Sequence, residues 1–141
     1  MHVEASRVLR SPRADVWALV GEPYHLPDWW PSYTGVEPDR RGLAEGARWT
    51  VLRGRAPGFL RKPGGRGLIL LERVQPATEL AWLDVAQGIE AGVRLDDEGR
   101  DTRATAFVSG PFWRIYAEGA RRLPSLAVAR LYDLCQTAQE L

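Results

Sequence analysis

The stretch that most constrains this chain is its last, Pro111 to Leu141. Ser109 and Gly110 interrupt the chain ahead of it, and Pro111 stands where a first helical residue has no use for a backbone donor. Phe112, Ile115, Tyr116, Gly119, Leu123, Leu126, Ala127, Leu131, Leu134, Ala138 and Leu141 then recur at three- and four-residue spacing, the period of an amphipathic helix. Such a helix has one apolar stripe to bury, so the rest of the chain has to supply a matching surface. A straight helix here would run about 45 Å at ~1.5 Å per residue, longer than a compact domain of this size spans. A kink or break is therefore expected at Pro124, which lacks a donor and crowds the carbonyl of Ala120, with Gly119 just before it. The first half, with Phe112, Trp113, Tyr116 and Gly119, is expected to roof a cavity. Leu126 to Leu141 is expected to clamp onto a sheet and onto the short helix bearing Trp17.

The upstream chain reads as the surface this helix needs. Val3 to Leu9 alternates as a strand, with Val3, Ala5, Arg7 and Leu9 on one face. Ser11, Pro12 and Asp15 provide a cap, a first-turn proline and a first-turn acid for a short helix carrying Val16, Trp17, Leu19 and Val20. Tyr24 to Trp30 forms a second short helical segment, closed by Pro31. Strands are then expected at Tyr33 to Glu37, Ala47 to Arg53, Leu68 to Val74, Glu79 to Ala86, Ile89 to Leu95 and Thr102 to Val108, separated by turn residues. The links are short, which implies an antiparallel meander, except for the long irregular segment Gly54 to Gly67. No repeat or linker divides the chain, so residues 1–141 are read as a single domain. The expected class is α+β: a strand, two short helices, about six antiparallel strands, and a long C-terminal helix gripped across the curved sheet.

Composition excludes several functions. A net charge of +1 gives no general attraction to nucleic acid or anionic membrane, and Phe59 alone interrupts the basic run Arg53, Arg55, Arg61, Lys62 and Arg66 as a stacking residue would. That run lacks a phosphate-cradling pattern and reads as a solvated loop, or else as a positive rim for an acidic ligand. No stretch reaches the roughly 20 apolar residues of a membrane span, and no signal core is visible at the N-terminus, so a cytoplasmic setting is the default. Cys135 is the single cysteine and falls on the apolar side of the helix, which reads as a buried, inert thiol. With only His2 and His25 there is no metal-ligand spacing, and no metal or cofactor is expected.

The opening strand followed by "SPRADVWALV", then "LPDWWP", "EGARWTV" and "GRDTRATAFVSGPF" leading into the last helix, together resemble the START-like superfamily, also called SRPBCC. It includes the birch-pollen allergen and polyketide cyclase/dehydrase-like families, and the resemblance covers essentially the whole chain. It implies a helix-grip cup whose cavity, between sheet and C-terminal helix, holds a small hydrophobic ligand such as a lipid, a polyketide or an aromatic molecule. Two alternatives come with it: a cyclase or aromatase type of enzyme, and a protein-interaction module like the activator domain of heat-shock ATPase co-chaperones.

Trp49, Trp82, Trp113, Tyr116 and Leu123 are the candidate lining of such a cavity, the first two on central strands and the others on the final helix. Each also reads as ordinary core packing. Arg7 is the oddity. If Val3, Ala5 and Leu9 face inward so does Arg7, and a desolvated guanidinium needs a ligand anion, or an internal acid such as Asp84 or Glu90, unless strand twist turns it to solvent. No catalytic residue is assigned. Tyr33, Asp84, Glu90 and Tyr116 are the conceivable acid/base groups, while His25 and Asp28 belong on the outer side of a helix, and Ser109 reads as a helix cap. A small hydrophobic ligand is the expected partner of a monomer or homodimer, with no nucleic acid.

Overall fold

The computed structural model describes residues 1–53 and 65–140. Arg55, Phe59, Arg61, Lys62 and Leu141, named above, lie outside the described residues. Seven strands form one antiparallel sheet: β1 (His2–Leu9), β2 (Tyr33–Glu37), β3 (Arg48–Arg53), β4 (Arg66–Gln75), β5 (Glu79–Asp84), β6 (Ile89–Glu98) and β7 (Asp101–Ser109). Among the described residues four α-helices accompany them: α1 (Arg13–Val20), α2 (Leu26–Trp29), α3 (Phe112–Ala117) and α4 (Leu123–Glu140). The spatial order is β1-β7-β6-β5-β4-β3-β2. The last six strands are thus a meander, and β1 adds to its far end beside β7, with α1 and α2 carrying the chain across to β2. This is the expected α+β helix-grip architecture.

Alternation decides which face each strand buries. Val3, Ala5, Arg7 and Leu9 stand opposite Val108, Ala106, Ala104 and Thr102, and Trp82 stands opposite Ala91 and Leu71. These residues point to the helix side, where Leu9, Ile69, Leu71, Leu80, Trp82, Val93, Leu95, Ala106 and Val108 are buried. α4 lies across β1 and β7 and touches α2, burying Ala127, Val128, Leu131 and Cys135. Between α4 and α1 is a cavity of about 270 Å³ lined by Ser11, Asp15, Leu19, Leu134, Cys135 and Ala138, so the helix bearing Trp17 is flanked by α4 across a gap. A bulge between Leu71 and Arg73 returns the next inward position to Val74, opposite Leu80.

The long C-terminal helix is broken, five residues earlier than Pro124 alone suggests. α3 ends at Ala117, Gly119 takes a left-handed φ of 65°, and a 3-10 turn at Ala120–Arg122 leads into α4. Pro124 then occupies the first turn of the new helix, where a missing donor costs nothing, so it starts α4 and does not kink it. The break resets the helical phase. Phe112, Tyr116 and Leu126 leave the apolar stripe for solvent, and Ala120 and Val128 replace them inside. Two expected caps also differ: the residues preceding α1 and α3 are Pro12 and Pro111, neither helix has a side-chain cap, and Ser109 ends β7. A methyl group at Gly119 would meet nothing within 4 Å. Gly119→Ala therefore isolates the backbone term and is expected to lower stability by about 1 kcal/mol, read by thermal unfolding.

Candidate functional site

The inward face of the sheet ends, on the β2 to β5 side, in a buried polar cluster. Asp84 closes β5 with its side chain turned to the helix side, where an isolated carboxylate would be costly. Its Oδ2 accepts from the Tyr33 hydroxyl at 2.8 Å, and its Oδ1 accepts from Arg53 Nη2 at 2.6 Å and from the Gln87 amide at 3.2 Å. Trp82 Nε1 donates to the Tyr33 oxygen at 3.2 Å. Gly67 leaves the path open: a methyl group there would lie 2.6 Å from Arg53 Nη2, so a larger residue would make the guanidinium shift where it crosses β4 toward β5. Burial first, and then the neighbouring Asp84 carboxylate, push the Tyr33 hydroxyl well above the ordinary tyrosine range. It stays protonated and acts as a donor. Among the described residues, Arg53 Nη1 and Trp29 Nε1 are buried without a hydrogen-bond partner.

Aromatic rings fill the space beside this cluster. Trp82 meets Trp29 and Trp30 edge to face, with centroids 5.8 and 5.1 Å away, and Tyr33 lies 6.4 Å from it. Trp49 is buried too, its Nε1 donating to the Gly42 carbonyl at 2.8 Å. Trp49 and Trp82, two of the candidate lining residues, are thus placed within the packed core.

The described residues form a larger cleft elsewhere, at the junction where α3 gives way to α4 beside the edge strand β1. It measures about 550 Å³ and is lined by Met1, Val3, Ile115, Tyr116, Gly119, Arg121 and Arg122. Val3 and the Tyr116 ring supply apolar surface over the buried Ile115, and the two arginines supply charge. Of the candidate lining residues this cleft includes Tyr116 alone. Leu123 is half-buried against the core, and Trp113 is exposed on α3. Val3, Ile115, Arg121 and Arg122 were missed as lining because the helical period does not tell which strand the turn between α3 and α4 lies beside.

Arg7 does project from the inward face, as alternation requires, yet it is exposed because β1 is an edge strand. Its guanidinium lies 4.0 Å over the Tyr132 ring of α4. The acids considered for it have other partners: Arg53 holds Asp84, and Arg73 binds Glu90 and Glu79. His25 and Asp28 pair with each other at 2.9 Å on the outer side of α2. The Cys135 thiol is raised by burial, which keeps it un-ionised and a poor nucleophile. Among the described residues no group of His, Cys, Asp and Glu is placed to hold a metal, and no helix is long and apolar enough to cross a membrane.

Solved structures share this architecture. Protein NE0264 from Nitrosomonas europaea aligns over 98% of this chain and 96% of its own, with a TM-score of 0.73 at 19% identity. Protein Ms6760 from Mycobacterium smegmatis aligns over 97% of this chain and 92% of its own, at 0.72 and 16%. An AHSA1-like protein from Aeromonas hydrophila aligns over 99% of this chain and 94% of its own, at 0.70 and 15%. At these identities the likeness is one of fold, and it is consistent with the START-like resemblance of the sequence. No protein-family model matches the chain, and no curated protein matches it.

Proposed function

We propose that this protein binds a small hydrophobic molecule bearing an anionic group, held at the end of the helix grip where α3, α4 and β1 meet. The observation that carries this reading is the cleft of about 550 Å³, a volume suited to a drug-sized ligand, with Val3 and Tyr116 as apolar surface over the buried Ile115 and Arg121 and Arg122 as charge. Binding of the fluorescent anion anilinonaphthalenesulfonate tests it. Saturable one-to-one binding is expected, weakened about tenfold or more by Val3→Asp, which sets a carboxylate against the apolar floor. Arg121→Ala with Arg122→Ala is expected to weaken this anion while sparing the uncharged probe N-phenylnaphthylamine. Non-saturable uptake, or indifference to all three substitutions in variants that melt like the parent, would overturn the reading.

A cyclase-type activity is the second reading, favoured by Arg53 Nη1, a buried guanidinium donor with no partner among the described residues, beside the Tyr33–Asp84 pair. Such a donor suits an oxyanion developing on a bound carbonyl chain. Proton abstraction is less well served. Asp84 already accepts three hydrogen bonds, and Tyr33 is held protonated, so neither is poised as a base.

A further inference from the structure

α3 presents three aromatic side chains that the fold leaves in solvent. Phe112, Trp113 and Tyr116 are 66, 55 and 54% exposed. At about 100° per residue they fall within one arc of roughly 100°, and Ile115, outside that arc, is the residue α3 buries in the core. A folded domain gains nothing internally from three large rings on one short helix facing water, so the patch marks a surface made for contact.

Charge indicates the kind of partner. The Arg114 guanidinium lies 4.6 Å from the Trp113 ring centroid, and that of Arg121 lies 4.8 Å from the Tyr116 ring centroid. Between residues 111 and 126, Arg114, Arg121 and Arg122 stand against Glu118 alone, three positive less one negative, or +2, where the whole chain carries +1. An apolar pocket on a protein would have to desolvate guanidinium groups lying on the very rings it receives. The interface of an anionic bilayer accommodates both, because indole and phenol rings settle at headgroup level while arginines meet lipid phosphates. We propose that α3 and the turn after it dock this protein peripherally onto an anionic lipid surface. The rings enter the headgroup region, Arg121 and Arg122 engage phosphate, and Arg114, whose Nη1 donates to the Gln87 carbonyl at 3.0 Å, adds positive charge beside them. No span is involved. The surface shares Tyr116, Arg121 and Arg122 with the cleft, and Phe112 and Trp113, which do not line it, separate the two proposals.

Vesicle co-sedimentation with tryptophan emission tests it on the full chain. Partition into vesicles of equimolar phosphatidylcholine and phosphatidylglycerol is expected to exceed that into phosphatidylcholine alone by about tenfold, to fall with added salt, and to blue-shift the emission of Trp113. The Phe112→Ser, Trp113→Ser double variant is expected to lose about tenfold or more of that partition while binding anilinonaphthalenesulfonate in solution as the parent does. Equal partition into both vesicles, no partition, or full retention by the double variant would overturn the proposal. So would a concentration-dependent dimer that the same two substitutions dissolve, because the patch would then serve a second copy of the chain. Lost vesicle binding with intact dye binding and lost dye binding with intact vesicle binding are different results, so the two proposals fail separately.

Discussion

Asp84→Leu is expected to destabilise the protein by about 3–5 kcal/mol, since it strands the Arg53 guanidinium without its carboxylate and leaves the Tyr33 hydroxyl without an acceptor in the core. Arg53→Leu alone is expected to be costly for the mirror reason. The double variant is the informative one. Removing both charges together is expected to cost less than the two single changes added, by at least about 1 kcal/mol, because no buried Asp84 carboxylate and no largely buried Arg53 guanidinium is then left without its partner. Urea unfolding followed by tryptophan emission measures all three. Additive losses would mean that Arg53 and Asp84 are held independently, Asp84 by Tyr33 and the Gln87 amide, and Arg53 by contacts other than this pair.

Trp82→Ala is the second large effect, about 3–5 kcal/mol, because the ring is fully buried, contacts Trp29 and Trp30, and satisfies Tyr33 through its Nε1. Trp113→Ala is the control. With half its surface in water it is expected to change stability by less than about 0.5 kcal/mol. Both tryptophans look alike as cavity candidates in the sequence, and the same unfolding experiment separates them: comparable losses at the two positions would contradict the placement of α3.

How much was legible follows from which properties are local. The strands appear in the chain because alternating apolar residues and turn residues are near neighbours. Their limits at Tyr33, Arg53, Glu79 and Ile89 agree with the structure residue for residue, while β4 and β6 extend further into their turns. That the last helix has to break was also legible, from its length and from Gly119 and Pro124. Where it breaks was not, because a proline reads identically as a kink inside one helix and as the first turn of the next. The choice between them came from Gly119 adopting its left-handed conformation.

The site was less legible than the fold. Tyr33, Arg53 and Asp84 meet across 51 and 31 residues of chain, and each alone was one polar residue among many. Tyr33 and Asp84 could be named as conceivable acid/base groups, but their meeting depends on β2, β3, β4 and β5 lying side by side in register, and on Gly67 leaving room for the guanidinium. Arg7 shows the converse. Alternation put it on the inward face correctly, and its exposure followed only from β1 being an edge.

The amino-acid sequence by itself determined the element order, the apolar stripe at the chain's end and the need to interrupt it, because hydrophobic period, proline and glycine act over a few residues. The tertiary structure alone decided which strand lies at the edge, which buried charges find each other, and which part of the C-terminal stripe faces water. Those outcomes depend on pairings between distant segments, whose register is set by the burial of all the strands together and not by any one of them.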